Sequence, residues 1–115
     1  MPSVQYDILI EQGATFSFDL TLKDANGDPR DLSGYSIRFQ GKPRHRAPAD
    51  VFRFTDSDPE ITNGGANGTI SISVSATKTA TFPAPANGVY DLEIEAADGV
   101  VERIVEGEYR ITPEV

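Results

Sequence analysis

Apolar side chains recur at every second position through most of this chain, a period that fits a strand and not a helix. Residues 15–23 read TFSFDLTLK, with Phe16, Phe18, Leu20 and Leu22 on one face and Thr15, Ser17, Asp19 and Thr21 on the other. Side chains alternate across a pleated strand, so this segment buries one face and wets the other. Tyr6, Ile8 and Ile10 alternate with Asp7, Leu9 and Glu11 in the same way. So do Tyr35, Ile37 and Phe39 with Ser36, Arg38 and Gln40, and Ile70, Ile72 and Val74 with Ser71, Ser73 and Ser75. Tyr90, Leu92 and Ile94 face away from Asp91, Glu93 and Glu95. The final run, residues 100–111, carries Val101, Val105, Tyr109 and Ile111, and Gly107 within it is expected to mark a bulge or bend.

Turn chemistry separates these runs. Asp98-Gly99 between two alternating segments predicts a hairpin. Asn26-Gly27 and Pro29 end the second strand, because Asn and Gly tolerate positive φ and Pro lacks the N–H of a ladder. Asn63-Gly64-Gly65 and Asn67-Gly68 are expected to form a flexible tip, and Asn87-Gly88 to precede a strand beginning at Val89. Residues 75–80 lose the alternation, which predicts one short helical turn near 76–80 capped by Ser75 and stopped by Pro83 and Pro85. The pattern predicts an all-β, immunoglobulin-like antiparallel β-sandwich of seven or eight strands, occupying residues 1–115 as a single domain. A closed barrel is the competing architecture.

With 115 residues and no cysteine, the fold must be held by packing and sheet pairing, without disulfides or thiolate ligands. Residues 1–13 lack a basic segment followed by a long apolar run, so neither a secretory signal nor a membrane span is expected. The net charge of −8 opposes nucleic acid binding. That charge is unevenly spread. Residues 38–53 hold Arg38, Lys42, Arg44, Arg46 and Arg53 against Asp50. Residues 91–114 hold eight acids against Arg103 and Arg110. The two regions are either solvated surfaces or complementary patches that steer copies or partners together.

Catalysis needs an activated nucleophile or a tuned acid–base pair, and the chain offers no motif for either. His45, the only histidine, lies in a Pro-flanked cationic loop, so no catalytic residue and no cofactor are expected. Asp24-x-Asn26-x-Asp28 imitates the start of a calcium loop but has Pro29 and Tyr35 where that loop needs glycine and a bidentate acid, and reads as a β-turn. Asp56, Asp58 and Glu60 are the candidates for a hard cation, with a solvated acidic loop as the alternative. Arg44, Arg46 and Phe52 are the candidate anchors of a protein interface, because Arg and aromatic residues dominate binding energy there. The competing reading puts Phe52 and Phe54 in the core as same-face neighbours of one strand.

Residues 6–40, YDILIEQGATFSFDLTLKDANGDPRDLSGYSIRFQ, together with Asn87-Gly88-Val89-Tyr90-Asp91-Leu92 and residues 105–115, VEGEYRITPEV, carry a family resemblance. They resemble small tailed-bacteriophage virion proteins and are similar to the N-terminal domain of phage baseplate upper proteins; residues 41–68 are unmatched. The resemblance implies a β-sandwich with a structural role in the tail or baseplate, docking on other virion proteins in a symmetric, multi-copy particle assembled in the host cytoplasm. Capsid decoration, gripping subunits through residues 42–46 and 55–68, is the alternative. A carbohydrate- or calcium-binding module is the second.

Overall fold

Among the described residues the chain folds as nine strands in two sheets. The computed structural model describes residues 3–114; Met1, Pro2 and Val115, at the ends of the expected 1–115 domain, lie outside the described residues. In chain order the elements are β1 (Val4–Gln5), β2 (Ile8–Glu11), β3 (Phe16–Thr21), β4 (Ser36–Lys42), β5 (Phe52–Thr55), β6 (Ile61–Asn63), β7 (Thr69–Val74), α1 (Ala76–Thr79), β8 (Ala86–Glu95) and β9 (Val101–Thr112). The front sheet runs β1–β9–β8–β4–β5, with β2 also on the outer side of β9, and the back sheet runs β3–β7–β6. The sandwich of the sequence reading is therefore present, with one departure. β1 and β2 pair with β9 in parallel, Ile8 opposite Tyr109 and Ile10 opposite Ile111. Parallel neighbours need a long crossover, and here all the intervening chain supplies it.

The inward positions of both sheets meet in one core. Phe39 sits at its centre, with ring centroids 5.1 Å from Phe52, 5.8 Å from Tyr90 and 6.3 Å from Phe16. Ile37, Ile70, Ile72, Leu92, Ile94 and Ile111 fill the space around it. α1 closes one end. Ser75 accepts a hydrogen bond from the Lys78 amide, as a helix cap should, and the buried Thr79 hydroxyl donates to Ala14 O at 2.8 Å and accepts from the Gly13 amide. Among the described residues no helix is long and apolar enough to cross a membrane.

Three glycine-bearing segments behave differently from their sequence reading. The ladder irregularity falls between Leu92 and Glu93, where β9 carries Ile104 as an extra residue, and not at Gly107. Gly107 is instead a point of close approach, where a Cβ would come within 2.2 Å of Tyr6 O. Asn87 and Gly88 lie inside β8, and a Cβ at Gly88 would meet Lys42 O at 2.1 Å. Residues 63–68 are stitched to the β3–β4 connection: Asn63 Nδ2 donates to Leu32 O and Tyr35 O, and the Leu32 amide donates to Gly65 O. At Gly107, at Gly88 and at Gly68, where a Cβ would meet Leu22 O at 2.5 Å, contact with a distant segment, invisible locally, sets the requirement for glycine.

Candidate interaction face

β4, β8 and β9 lie side by side, so their outward positions form one densely charged surface. Arg38 on β4 lies 3.0 Å from Glu95 and 3.6 Å from Glu93 on β8. Gln40 Nε2 donates to Asp91 at 3.1 Å. Arg103 on β9 bridges Asp91 at 3.3 Å and Glu106 at 3.4 Å. Antiparallel pairing thus puts Arg38 of the basic stretch beside Glu93 and Glu95 of the acidic one, while Lys42 lies 3.8 Å from Asp50 in its own stretch and Arg103 bridges acids in its own. A bond from Ser3 Oγ, reinforced by Arg103, holds the Glu106 carboxyl below the ordinary glutamate range.

The β4–β5 connection, residues 43–51, borders this face. Its fold is set by the Ala47 amide donating to Arg44 O, by burial of Ala47, and by the Val51 amide donating to Gly41 O at 2.7 Å. Arg46 adopts φ 62°, the one positive φ outside glycine among the described residues. For an arginine that conformation costs about 1 kcal/mol or more and persists only where the surroundings impose it. Two shallow grooves of about 580 and 550 Å³ lie where the connection meets the sheet, and His45 and Val89 line both. The first also receives Lys42, Arg46, Arg103 and Glu106; the second receives Arg44, Glu108 and Arg110.

The predicted site residues separate on this map. Arg44 and Arg46 are exposed on the connection, and neither forms an ion pair among the described residues. Phe52 is not an interface anchor. It is 4% exposed and lies against Phe39, Phe82 and Tyr109, because its strand position points inward opposite Gly41, whose missing side chain makes room for the ring. Asp56, Asp58 and Glu60 are not gathered either. Asp58 Oδ2 accepts from the Thr55 amide at 2.8 Å, and no group of three potential metal ligands occurs among the described residues. Asp24 Oδ1 accepts from the Asn26 and Asp28 amides, the bonding of a turn. Arg103, Gln40 and Val89 join the face without having been singled out in the sequence; the signal for Arg103 was an isolated cation in an acidic run.

Residues 42–46 begin at the last residue of β4, while the Asp56 amide donates to Ile37 O near its start. Seven strand residues separate the two loops by about 20 Å.

Three back strands facing a larger sheet, with sequential antiparallel pairs and an N-terminal strand added in parallel, define an immunoglobulin-like β-sandwich. No protein-family model and no curated protein matches the chain. Among solved structures it is similar to the extracellular domain of the voltage-gated sodium channel β4 subunit, a protein described as forming parallel homodimers that explain its role in cell–cell adhesion. The two are 12% identical, and the match covers 100% of this chain and 97% of that one with a TM-score of 0.56. At that identity the likeness establishes the fold.

Proposed function

We propose that this chain is a bacteriophage virion structural protein of the tail or baseplate, a non-catalytic adaptor that docks on other protein subunits in multiple copies. The resemblance of residues 6–40, 87–92 and 105–115 motivates the virion assignment. The observation that carries docking is the β4–β5 connection, which presents Arg44 and Arg46 beside a face where much of the remaining charge is paired. Guanidinium groups bind carboxylates in bidentate fashion, so the partner surface that suits them is acidic protein. Repetition on a symmetric particle raises effective concentration and turns weak contacts into durable ones. The β4-subunit domain, with the same architecture, assembles as parallel homodimers, which supports the use of such a sandwich as a contact module.

Mass spectrometry of separated head and tail fractions tests the reading. The chain is expected in tails; its presence in heads alone would reassign it to capsid decoration, and absence from both would end the proposal. In the tail fraction, a paired Arg44→Glu and Arg46→Glu variant should be depleted while its melting curve stays unchanged.

A further inference from the structure

We propose that the free edge of β3, with the apolar groove beside it, accepts an extended strand of another protein, one that is apolar at alternate positions and carries a lysine or arginine facing Asp19. This edge is a different surface from the charged front face, and the inference goes beyond the docking reading.

β3 pairs with β7 on one side only. The register Phe16↔Val74 through Thr21↔Thr69 continues to Leu22, whose amide donates to Gly68 O at 2.7 Å. Antiparallel ladders alternate, so Leu20 and Phe18 also turn their backbone groups toward β7, while those of Ser17, Asp19 and Thr21 point away from it. None of these three amides has a protein partner outside the ladder among the described residues. They offer about 14 Å of unpaired strand.

The inner side of the same strand is incompletely covered. β1 is only two residues long, and Phe18, Leu20 and Leu22 are partly buried where Phe16 is fully so. Val4 is 62% and Tyr6 54% exposed, with the Tyr6 ring 5.6 Å from Phe18. Ile104, the extra residue of the β9 bulge, joins them. Together they line a groove of about 410 Å³ between the β1 and β3 edges. A strand paired to β3 would drop every second side chain into that groove, gaining main-chain bonds and apolar burial at once.

Charge selects the occupant. The longest two-fold pairing of β3 with a second copy places Ser17 opposite Thr21 and therefore Asp19 opposite Asp19. Like charges directly opposite are destabilising, and each chain carries −8 overall. Asp19 forms no ion pair among the described residues, so a cation across from it completes the strand.

The probe is a capped seven-residue peptide alternating valine with threonine, with lysine at the central polar position. It is compared with the same peptide bearing glutamate there, and with the lysine peptide N-methylated at alternate amides. Titration of the intact chain, followed by amide NMR, should shift and protect the amides of Ser17, Asp19 and Thr21. The glutamate peptide should bind about three- to tenfold more weakly, and Asp19→Lys should invert that order. An Asp19→Pro variant removes an outward amide without touching the β7 ladder and should abolish binding. If that variant fails to fold, the N-methylated peptide gives the same answer by not binding. Absence of saturable shifts at β3, equal binding of the N-methylated peptide, or sedimentation showing that the edge is occupied by a second copy would each overturn the inference.

Discussion

Tyr90 on β8 lies opposite Gly107, Tyr109 on β9 lies opposite Gly88, both tyrosines are buried, and their hydroxyls meet opposite fates. Tyr90 donates to Tyr6 O, the carbonyl that the missing side chain of Gly107 lets in. The Tyr109 hydroxyl is sealed beneath Gly88 with no hydrogen-bond partner among the described residues. Burial pushes both phenols up from their ordinary value. Losing a buried bond leaves the Tyr6 carbonyl unsatisfied, whereas removing an unpaired hydroxyl removes only a desolvation cost. Tyr90→Phe should therefore cost about 1–2 kcal/mol, and Tyr109→Phe should be neutral or stabilise by up to about 1 kcal/mol. Urea titrations of the two variants measure both; equal losses would refute the distinction. At this scale the alternation of Tyr90 and Ile94 told which side chains turn inward. It could not tell which polar tips find partners, because the partners lie 84 residues away in the case of Tyr6 and Tyr90.

Two connections between elements carry more of the architecture than their sequences suggest. The first is the switch from β1 to β2 across Gly107. Tyr6 O enters the space above that glycine, the Tyr6 amide donates to Glu106 O, and Asp7 Oδ1 accepts from the Glu108 amide. A valine at Gly107 would drive the N-terminal segment off β9. Gly107→Val should lower stability by about 2 kcal/mol or more and speed hydrogen exchange at residues 4–7, ahead of any change in β8. The second is the crossing from β3 to β4, pinned by Arg30, which grips Glu102 at 2.7 and 2.9 Å and lies over the Tyr35 ring. The Arg30 bond holds the Glu102 carboxyl below its ordinary value. A depressed carboxyl pKa contributes stability above the ordinary glutamate range, and that contribution is lost as pH falls through the folded-state value. Glu102→Gln should cost less than about 1 kcal/mol near pH 7, since the pair is partly solvated, and the difference should shrink at an acidic pH below the ordinary glutamate range. Denaturation at the two pH values decides it. The glycines and the turn acids were legible as breakers; their tasks were not, because a close approach is a property of two segments and a sequence window holds one.

Across the whole molecule, β9 holds both ends of the structure together. It pairs with the N-terminal strands on one side and with β8 on the other. β1 contributes two exposed residues, while β2 puts Ile8 and Ile10 into the core. Removal of residues 1–5 should leave a cooperative melt lowered by a few degrees, about the effect of 1 kcal/mol in a domain of this size. Removal of residues 1–11 should abolish the folded state, because two core isoleucines and an edge strand are lost together. Circular dichroism melts of the two truncations distinguish them; similar melting points would contradict the assignment of β2 to the core.

The sequence by itself determined the all-β class, since hydrophobic burial at period two calls for sheets to shield Phe16, Phe39, Ile72 and Leu92 from water, while the choice of a two-sheet sandwich over a closed barrel fell to the tertiary structure. It also marked the Asp98-Gly99 hairpin and the Ser75 cap, whose chemistry is complete within a few residues. Tertiary structure alone decided that Phe52 is core and not contact, that Arg38 meets Glu93 and Glu95 across β4 and β8, and that β3 keeps a bare edge. Those outcomes depend on which strands become neighbours, and strand order is settled by the packing of the entire chain, where loops long in sequence become short in space.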